Sequence, residues 1–295
     1  MCKADKEKSR SDLDVVMIIV NYKSASATSQ LIADALQQDQ TTCKVSIIVA
    51  DNDPINVGLD GVQTKYRENS SVHFETMPEN LGYFGAANHV LNHLGENHLP
   101  KWVIVSNADI RLPRKDTFLR IAKSVSRCAV IAPRILSKQV GLDQNPFQRK
   151  RPSVFRMYLN CMISRSGILY RLREIQYEAT RKIRGLWAQR FQPAARSEVV
   201  YAPHGAFMIF AREYFERGGT LDVGAFLFAE EGFVAETCRK LGLDVLYDPT
   251  IEVLHDEHVS TRHNAAIRGF HTSAADYIYR EFFAPEKKPI GSGPT

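Results

Sequence analysis

Residues 15–50 read VVMIIVNYKSASATSQLIADALQQDQTTCKVSIIVA, and their pattern decides the fold. The runs VVMIIV (Val15 to Val20) and KVSIIVA (Lys44 to Ala50) are short, β-branched and almost continuously apolar, as in strands covered on both faces. Between them, Ser24 to Gln38 sets Leu31, Ala35 and Leu36 on one helical face. Strand, helix and strand in this order predict a βαβ unit and a parallel sheet.

The alternation continues outward. Val72 to Glu75 predicts a weaker strand, Phe84 to Leu94 a helix, and WVIVS (Trp102 to Ser106) a further central strand ending in the polar turn NAD. A helix over Lys115 to Ser126 and a strand over Ala129 to Ala132 follow. From residue 137 to 198 the pattern breaks into mixed Arg, aromatic and aliphatic residues. It resumes with a strand GAFMIF (Gly205 to Phe210), a helix from Glu230 to Leu241, and two short strands, DVLYD (Asp244 to Asp248) and IEVLH (Ile251 to His255). A surface helix is expected over Ala265 to Phe283, ahead of a disordered tail ending PIGSGPT. The fold class expected is α/β, with a Rossmann-like, mostly parallel central sheet flanked by helices and a basic helical insert.

Composition narrows the function. With 44% hydrophobic and 24% charged residues among 295, the chain can bury a sizeable core. Lys+Arg exceed Asp+Glu by 38 to 33, yet residues 148–196 hold twelve Lys/Arg against Glu174 and Glu178 alone. The rest of the chain is therefore net negative, which argues for one basic face meeting something anionic and against nucleic-acid binding. Phe155, Tyr158, Leu159 and Met162 follow helical spacing near Arg151, Arg156 and Arg165, so this face fits an anionic membrane surface, a solvated basic helix or an acceptor-binding lid. Cys2, Cys43, Cys128, Cys161 and Cys238 never space as CxxC, which suggests neither a disulfide framework nor a structural zinc site. No apolar run suits a signal peptide or a spanning helix, so a cytoplasmic protein, peripheral on the inner membrane face, is expected.

The polar turns carry the chemistry. The first strand runs into VNYKSAS, without the GxGxxG turn that seats a dinucleotide, so a dehydrogenase reading loses its support. Asp51, in VADN, could accept a hydrogen bond from a base or ribose, or simply cap its own turn. In ENLGYFGAAN, Asn80, Gly82 and Gly85 allow close backbone approach to a nucleotide ahead of Asn88; equally, Asn80 could cap the helix. In SNADI, Asp109 at a strand end could hold Mg²⁺ or Mn²⁺ against a diphosphate, with Asn107 beside it. Glu230 and Glu231 stand at a helix start, where the helix dipole favours acids and where a general base could also sit. His255 ends a short strand with His258 just beyond, and could be packed or a metal ligand.

The series VNY, VADN, ENLGYFGAAN, SNAD, AEEGF and VLH, in this order and spacing, resembles glycosyltransferase family 2. It resembles in particular the rhamnosyltransferase-like branch, with a GT-A fold, that builds bacterial surface polysaccharides. The resemblance spans residues 14–136 and 199–262. It implies that Asp51 reads a uracil or thymine base and that Asn80 and Gly82 line the donor pocket, with Asn21, Asn52 and Asn88 completing the donor set. It further implies that Asn107 and Asp109 form the DxD-type diphosphate motif. Asp109 and His255 would then hold Mg²⁺ or Mn²⁺, and Glu231, preceded by Glu230, would be the catalytic base. Two departures stand out: Asn107 replaces the first Asp of that motif, and Glu231 replaces an Asp, lengthening the base by one methylene. The QxxRW motif of processive synthases is missing, which suggests addition of a single sugar.

The organisation implied is a disordered N-terminus (1–13), a nucleotide-sugar-binding half (14–136), the basic, mainly helical insert (137–198), an acceptor and catalytic half (199–262) and a C-terminal helix with a flexible tail (263–295). The implied reaction is inverting and metal-dependent. It moves one sugar, such as rhamnose from dTDP-rhamnose, from a dTDP or UDP donor to a saccharide or lipid-linked acceptor. Two other readings compete: a non-catalytic nucleotide-sugar or glycan-binding module on the same fold, and a sugar-1-phosphate nucleotidyltransferase. The latter would show a Gly-rich basic loop where VNYKSAS stands.

Overall fold

The computed structural model describes residues 13–53, 55, 58–95, 99–124, 128–188, 196–257 and 265–284. The expected disordered termini and His258 fall outside the described residues, apart from Leu13 and the chain up to Ala284. In chain order the strands are β1 (Val15–Asn21), β2 (Val45–Asp51), β3 (Val72–Thr76), β4 (Trp102–Asn107), β5 (Ile110–Arg111), β6 (Val130–Ser137), β7 (Glu198–Val200), β8 (Phe207–Ala211) and β9 (Val245–His255). The helices are α1 (Ala25–Leu36), α2 (Asp60–Tyr66), α3 (Tyr83–Leu94), α4 (Thr117–Lys123), α5 (Val154–Arg165), α6 (Gly167–Ala188), α7 (Arg212–Glu216), α8 (Glu230–Leu241) and α9 (Ala265–Phe282).

The strands form one sheet in the order β3-β2-β1-β4-β8-β6-β9-β5, with β7 also paired to β9. Four ladders are parallel: β3 on β2, β2 and β4 on β1, and β6 on β9. The others, in which β8 joins β4 to β6 and β5 and β7 flank β9, are antiparallel. Parallel register brings Asn21 opposite Asp51, and Val20 opposite Asn107. The polar ends of β1, β2 and β4 therefore share one rim, where open α/β sheets bind ligands.

Every residue of β1 is buried, and alternation sends Val16, Ile18 and Val20 into one core and Val15, Met17 and Ile19 into the other. Each fully buried aliphatic side chain stabilises the fold by roughly 1.5–3 kcal/mol. The first core packs under α3 and α8 through Phe84, Val90, Leu91, Phe233 and Val234; the second packs under α1 and α4 through Leu31, Ile32 and Phe118.

Three expectations change. The two short strands predicted over 244–255 are one strand, β9, whose register against β6 slips between Pro133 and Arg134. The turn-forming DPT is absorbed in that irregularity, with Asp248 Oδ1 accepting from the Thr250 amide at 2.9 Å and from its hydroxyl at 2.8 Å. The strand after α4 runs on to Ser137, well past Ala132. The expected surface helix is partly core: Ala274, Ala275 and Ile278 of α9 are buried, and Cys161 Sγ of α5 donates to the Ala275 carbonyl at 3.2 Å. Small side chains there let the two helices approach closely.

The chain leading into α5 is clamped to α8. The fully buried Glu236 accepts from Arg151 Nε at 2.7 Å, Tyr201 Oη at 2.6 Å and Arg239 Nε at 2.8 Å, so its charge is compensated where water cannot reach. Cys43, Cys128, Cys161 and Cys238 are buried free thiols. Among the described residues no helix is long and apolar enough to cross a membrane.

Candidate active site

The rim of β1 and β2 builds a buried polar cluster with one group left over. Asn21 Nδ2 donates to Asp51 Oδ1 at 3.1 Å, while Asn21 Oδ1 accepts from the Thr28 hydroxyl at 2.9 Å. Asp51 is fully buried, and its Oδ2 has no hydrogen-bond partner among the described residues. Burial pushes this carboxyl above the usual aspartate range, against the opposing hydrogen bond from Asn21. A buried acceptor without a partner is costly, and a ligand N–H or O–H would satisfy it.

Asn52 straps the next turn down. Its Nδ2 donates to Asn80 Oδ1 at 2.9 Å and to the Gly82 carbonyl at 3.0 Å, and its Oδ1 accepts from the Leu81 amide at 2.8 Å. Gly82 has φ 76°, and a Cβ there would come to 2.1 Å of the Phe226 carbonyl oxygen, so only glycine fits. This turn starts α3 with Tyr83, whose hydroxyl is buried and unpartnered among the described residues. Burial, and then the charges of Glu230, Glu231 and Asp109, lift the Tyr83 phenol well above its ordinary value. All three carboxylates thus lie within electrostatic reach of one phenol.

Asp109, between β4 and β5, meets the end of β9. Its Oδ1 lies 3.3 Å from His255 Nε2, and its carbonyl accepts from the Asp256 amide at 2.9 Å. Gln144 fixes the imidazole: its Nε2 donates to Glu257 Oε1 at 3.0 Å, which turns its Oε1 toward His255 Nδ1 at 2.8 Å. With Nδ1–H donating to that oxygen, a neutral ring turns its Nε2 lone pair toward the Asp109 carboxylate. Two acceptors so placed fit a shared divalent cation, and the Gln144 contact is of the kind that orients ligating histidines. Asn107 stands half-buried at the end of β4, where its amide donates to the Ala206 carbonyl at 2.9 Å.

The third wall is the start of α8. Glu231 Oε1 accepts from the Gly205 amide at 3.1 Å. Glu230 is buried, and burial followed by repulsion from Glu231 pushes its carboxyl up to about 8. Burial also raises Glu231, while the Gly205 N–H favours its ionised form. Two adjacent acids both displaced toward neutrality hold a proton where a general base operates best. Just ahead, Phe228 takes φ 69° and stacks on His271, with ring centroids 3.9 Å apart.

The rim therefore gathers Asn21, Asp51, Asn52, Asn80 and Gly82 on one side, and Asn107, Asp109, His255, Glu230 and Glu231 on the other, with Tyr83, next to Gly82, in electrostatic reach of the acids. Residues 15–217 match the profile described as Glycosyl transferase family 2. The chain belongs to glycosyltransferase family 2. Glu230, Glu231 and His255 lie beyond the matched segment, and only their geometry places them beside residues within it.

Solved structures agree on the fold. A mannosyltransferase, PcManGT from Pyrobaculum calidifontis, solved with GDP-Man and Mn²⁺, is similar at TM-score 0.51 and 18% identity over 88% of this chain and 63% of its own. GalNAc-T7, solved with UDP, GalNAc and Mn²⁺, is similar at TM-score 0.56 and 15% identity over 84% of this chain and 44% of its own. This family 2 chain thus spans less than two thirds of the length of either. No curated protein matches it by sequence.

Of the expected donor residues, Asn88 alone joins none of these described contacts: five positions beyond Tyr83, it points about 140° away around α3. Sequence reasoning also missed residues. Tyr83 was hidden inside a motif read for its glycines, and Gln144 sits in a stretch without periodicity. His204, whose ring centroid is 6.1 Å from that of His255, is held neutral by burial and by His255, with its pKa lowered to about 3. Its position directly before the apolar run of β8, at a strand rim, was the available signal.

Proposed function

We propose that this chain is an inverting glycosyltransferase moving one sugar from a nucleoside diphosphate to an acceptor hydroxyl. The observation carrying this is that Glu231 accepts from the Gly205 amide while the next residue, Ala206, accepts from the Asn107 backbone amide, which sets the Glu230–Glu231 pair and the Asn107–Asp109 turn around one cleft. One end of such a cleft suits a leaving diphosphate and the other an incoming nucleophile.

Asp51 Oδ2 would accept from N3–H of a thymine or uracil ring, and the turn of Asn80 to Gly82 would lie along the nucleoside. Asp109 and His255 would hold Mg²⁺ or Mn²⁺, the carboxylate supplying the hard oxygen ligand that such ions prefer. When bound, that ion would neutralise charge developing on the departing diphosphate. Glu231 would take the proton of the acceptor hydroxyl as its oxygen approaches C1, and the Gly205 N–H would keep the carboxylate aimed. Attack from the face opposite the leaving group inverts C1. The preferred donor in this reading is dTDP-rhamnose and the acceptor a lipid-linked saccharide.

The acceptor points to the basic helices. On α6, Ile168, Leu172, Ile175 and Ile183 recur at helical spacing and are exposed, among exposed Arg171, Lys182 and Arg184. On α5, Phe155, Tyr158, Leu159 and Met162 are exposed as well. Apolar side chains among cations fit an anionic membrane surface that presents the acceptor.

The reading is tested by thermal denaturation with a panel of nucleotide sugars, with and without Mn²⁺. A bound ligand raises the melting temperature, and dTDP-rhamnose with Mn²⁺ should raise it most. Failure of every nucleotide sugar to shift the transition would end the proposal.

A further inference from the structure

At the outer edge of the sheet, far along α3 from Gly82, three potential metal ligands converge. His89 and His93 are four residues apart on α3 and so share a face, with ring centroids 4.4 Å apart. Glu75, from the edge strand β3, reaches them: its Oε1 lies 3.6 Å from His89 Nε2 and contacts His93 Nδ1 directly. The ligand atoms of the three residues all lie within 4.8 Å of one another. In a tetrahedral zinc site with bonds near 2.0–2.1 Å, ligand atoms stand about 3.3 Å apart, so modest side-chain rotation meets that geometry.

We propose that Glu75, His89 and His93 form a second metal site, selective for Zn²⁺ or a similar imidazole-seeking transition cation. Two imidazoles and one carboxylate favour such ions over Mg²⁺, which prefers oxygen ligands and retains its waters. A cleft of about 190 Å³ lined by His73, Glu75, Val90 and His93 adjoins two of the three residues and lets water complete the coordination. His89 and His93 are respectively part-exposed and mostly exposed, so the ion can enter from solvent. Binding would staple β3, which among the described residues pairs with β2 alone, to the helix that starts at the Gly82 turn. An edge strand fastened in this way is less open to pairing with other chains.

The test uses the full chain stripped with EDTA and carrying Asp109→Ala, so that the rim cannot supply a competing ligand pair. Titration with ZnCl₂ in millimolar Mg²⁺, followed by calorimetry, should show one equivalent bound. Adding His89→Gln and His93→Gln together should weaken binding by at least about 100-fold, and Glu75→Gln alone by at least about tenfold. Zn²⁺ should raise the melting temperature of the D109A chain and leave that of the double histidine variant unchanged. Co²⁺ in place of Zn²⁺ should give the intense visible absorption of a tetrahedral site. Absence of Zn²⁺ binding in Mg²⁺, or binding by the histidine and glutamate variants equal to that of the D109A chain, would overturn the assignment. Circular dichroism of each variant separates lost binding from lost fold.

Discussion

The amide of Gly205 donates to Glu231 Oε1 at 3.1 Å, and a Cβ at position 205 would come to 2.8 Å of that same oxygen. The missing side chain is what allows the carboxylate to be held there. Gly205 does not occupy the left-handed region, so Gly205→Ala should fold normally. It should displace the carboxylate and lower kcat on the order of 10²-fold, the sensitivity of proton transfer to ångström misplacement. Glu231→Gln should lose about as much or more while still binding donor. Turnover assays alongside donor calorimetry check both, and full activity in E231Q would remove Glu231 from the role of base.

Glu230 binds its proton more tightly when folded, up to about 8 against an ordinary 4.5. Between those pH values the native state holds a proton that the unfolded chain releases, so stability falls as pH rises through this window. Below it both states are protonated and the effect vanishes. Glu230→Gln should therefore melt higher than the parent at pH 8, with the gap closing toward pH 4. Melting curves of the ligand-free proteins that stay parallel across the range would contradict this.

Gln144 orients His255 by accepting from its Nδ1–H at Oε1 while donating from Nε2 to Glu257. Gln144→Leu should free the ring to rotate, raising the Mn²⁺ concentration for half-maximal activity by about 10–100-fold. An unchanged metal titration would mean that Gln144 positions nothing.

Asp51 Oδ2 is an acceptor awaiting a donor. In Asp51→Asn, an N–H replaces it and would confront the N3–H of a pyrimidine. Affinity for a dTDP or UDP sugar should fall by about 1–3 kcal/mol, the scale of an unsatisfied buried polar group. Calorimetry with the free nucleotide reads this directly, and equal affinities for parent and variant would exclude base reading by Asp51.

The exposed aliphatic row of α6 and its cations predict binding to vesicles containing anionic lipid. Flotation should recover the protein at low salt and progressively less as salt rises, since charge attraction is screened within a Debye length. The aliphatic side chains would enter the headgroup boundary, so replacing Leu172 and Ile175 together by Ser should weaken recovery. Equal flotation with neutral and anionic vesicles would discard the electrostatic part, and no flotation with either would discard the surface.

Much of the rim was legible because each strand announces itself locally. Val15 to Val20 and Lys44 to Ala50 are apolar runs, and the polar residues that end them, Asn21 and Asp51, are adjacent in register. The expected helix start at Glu230 is the first residue of α8. The single strand β9 was not legible, since DPT reads as a turn and only its pairing with β6 shows that the chain continues straight through an irregularity. Gln144 escaped for a similar reason: its role exists only because Glu257 and His255 arrive beside it.

The amino-acid order alone determined which segments are buried strands, where the chain turns, and that acids and amides cluster at the strand ends, because side-chain periodicity and turn chemistry are local properties. Only the tertiary structure decided that Asp109 meets His255, that Glu231 is held by Gly205, and that Glu75 faces His89 and His93. Those meetings depend on strand order, ladder register and helix packing, which are settled by burying two cores at once across residues far apart in the chain.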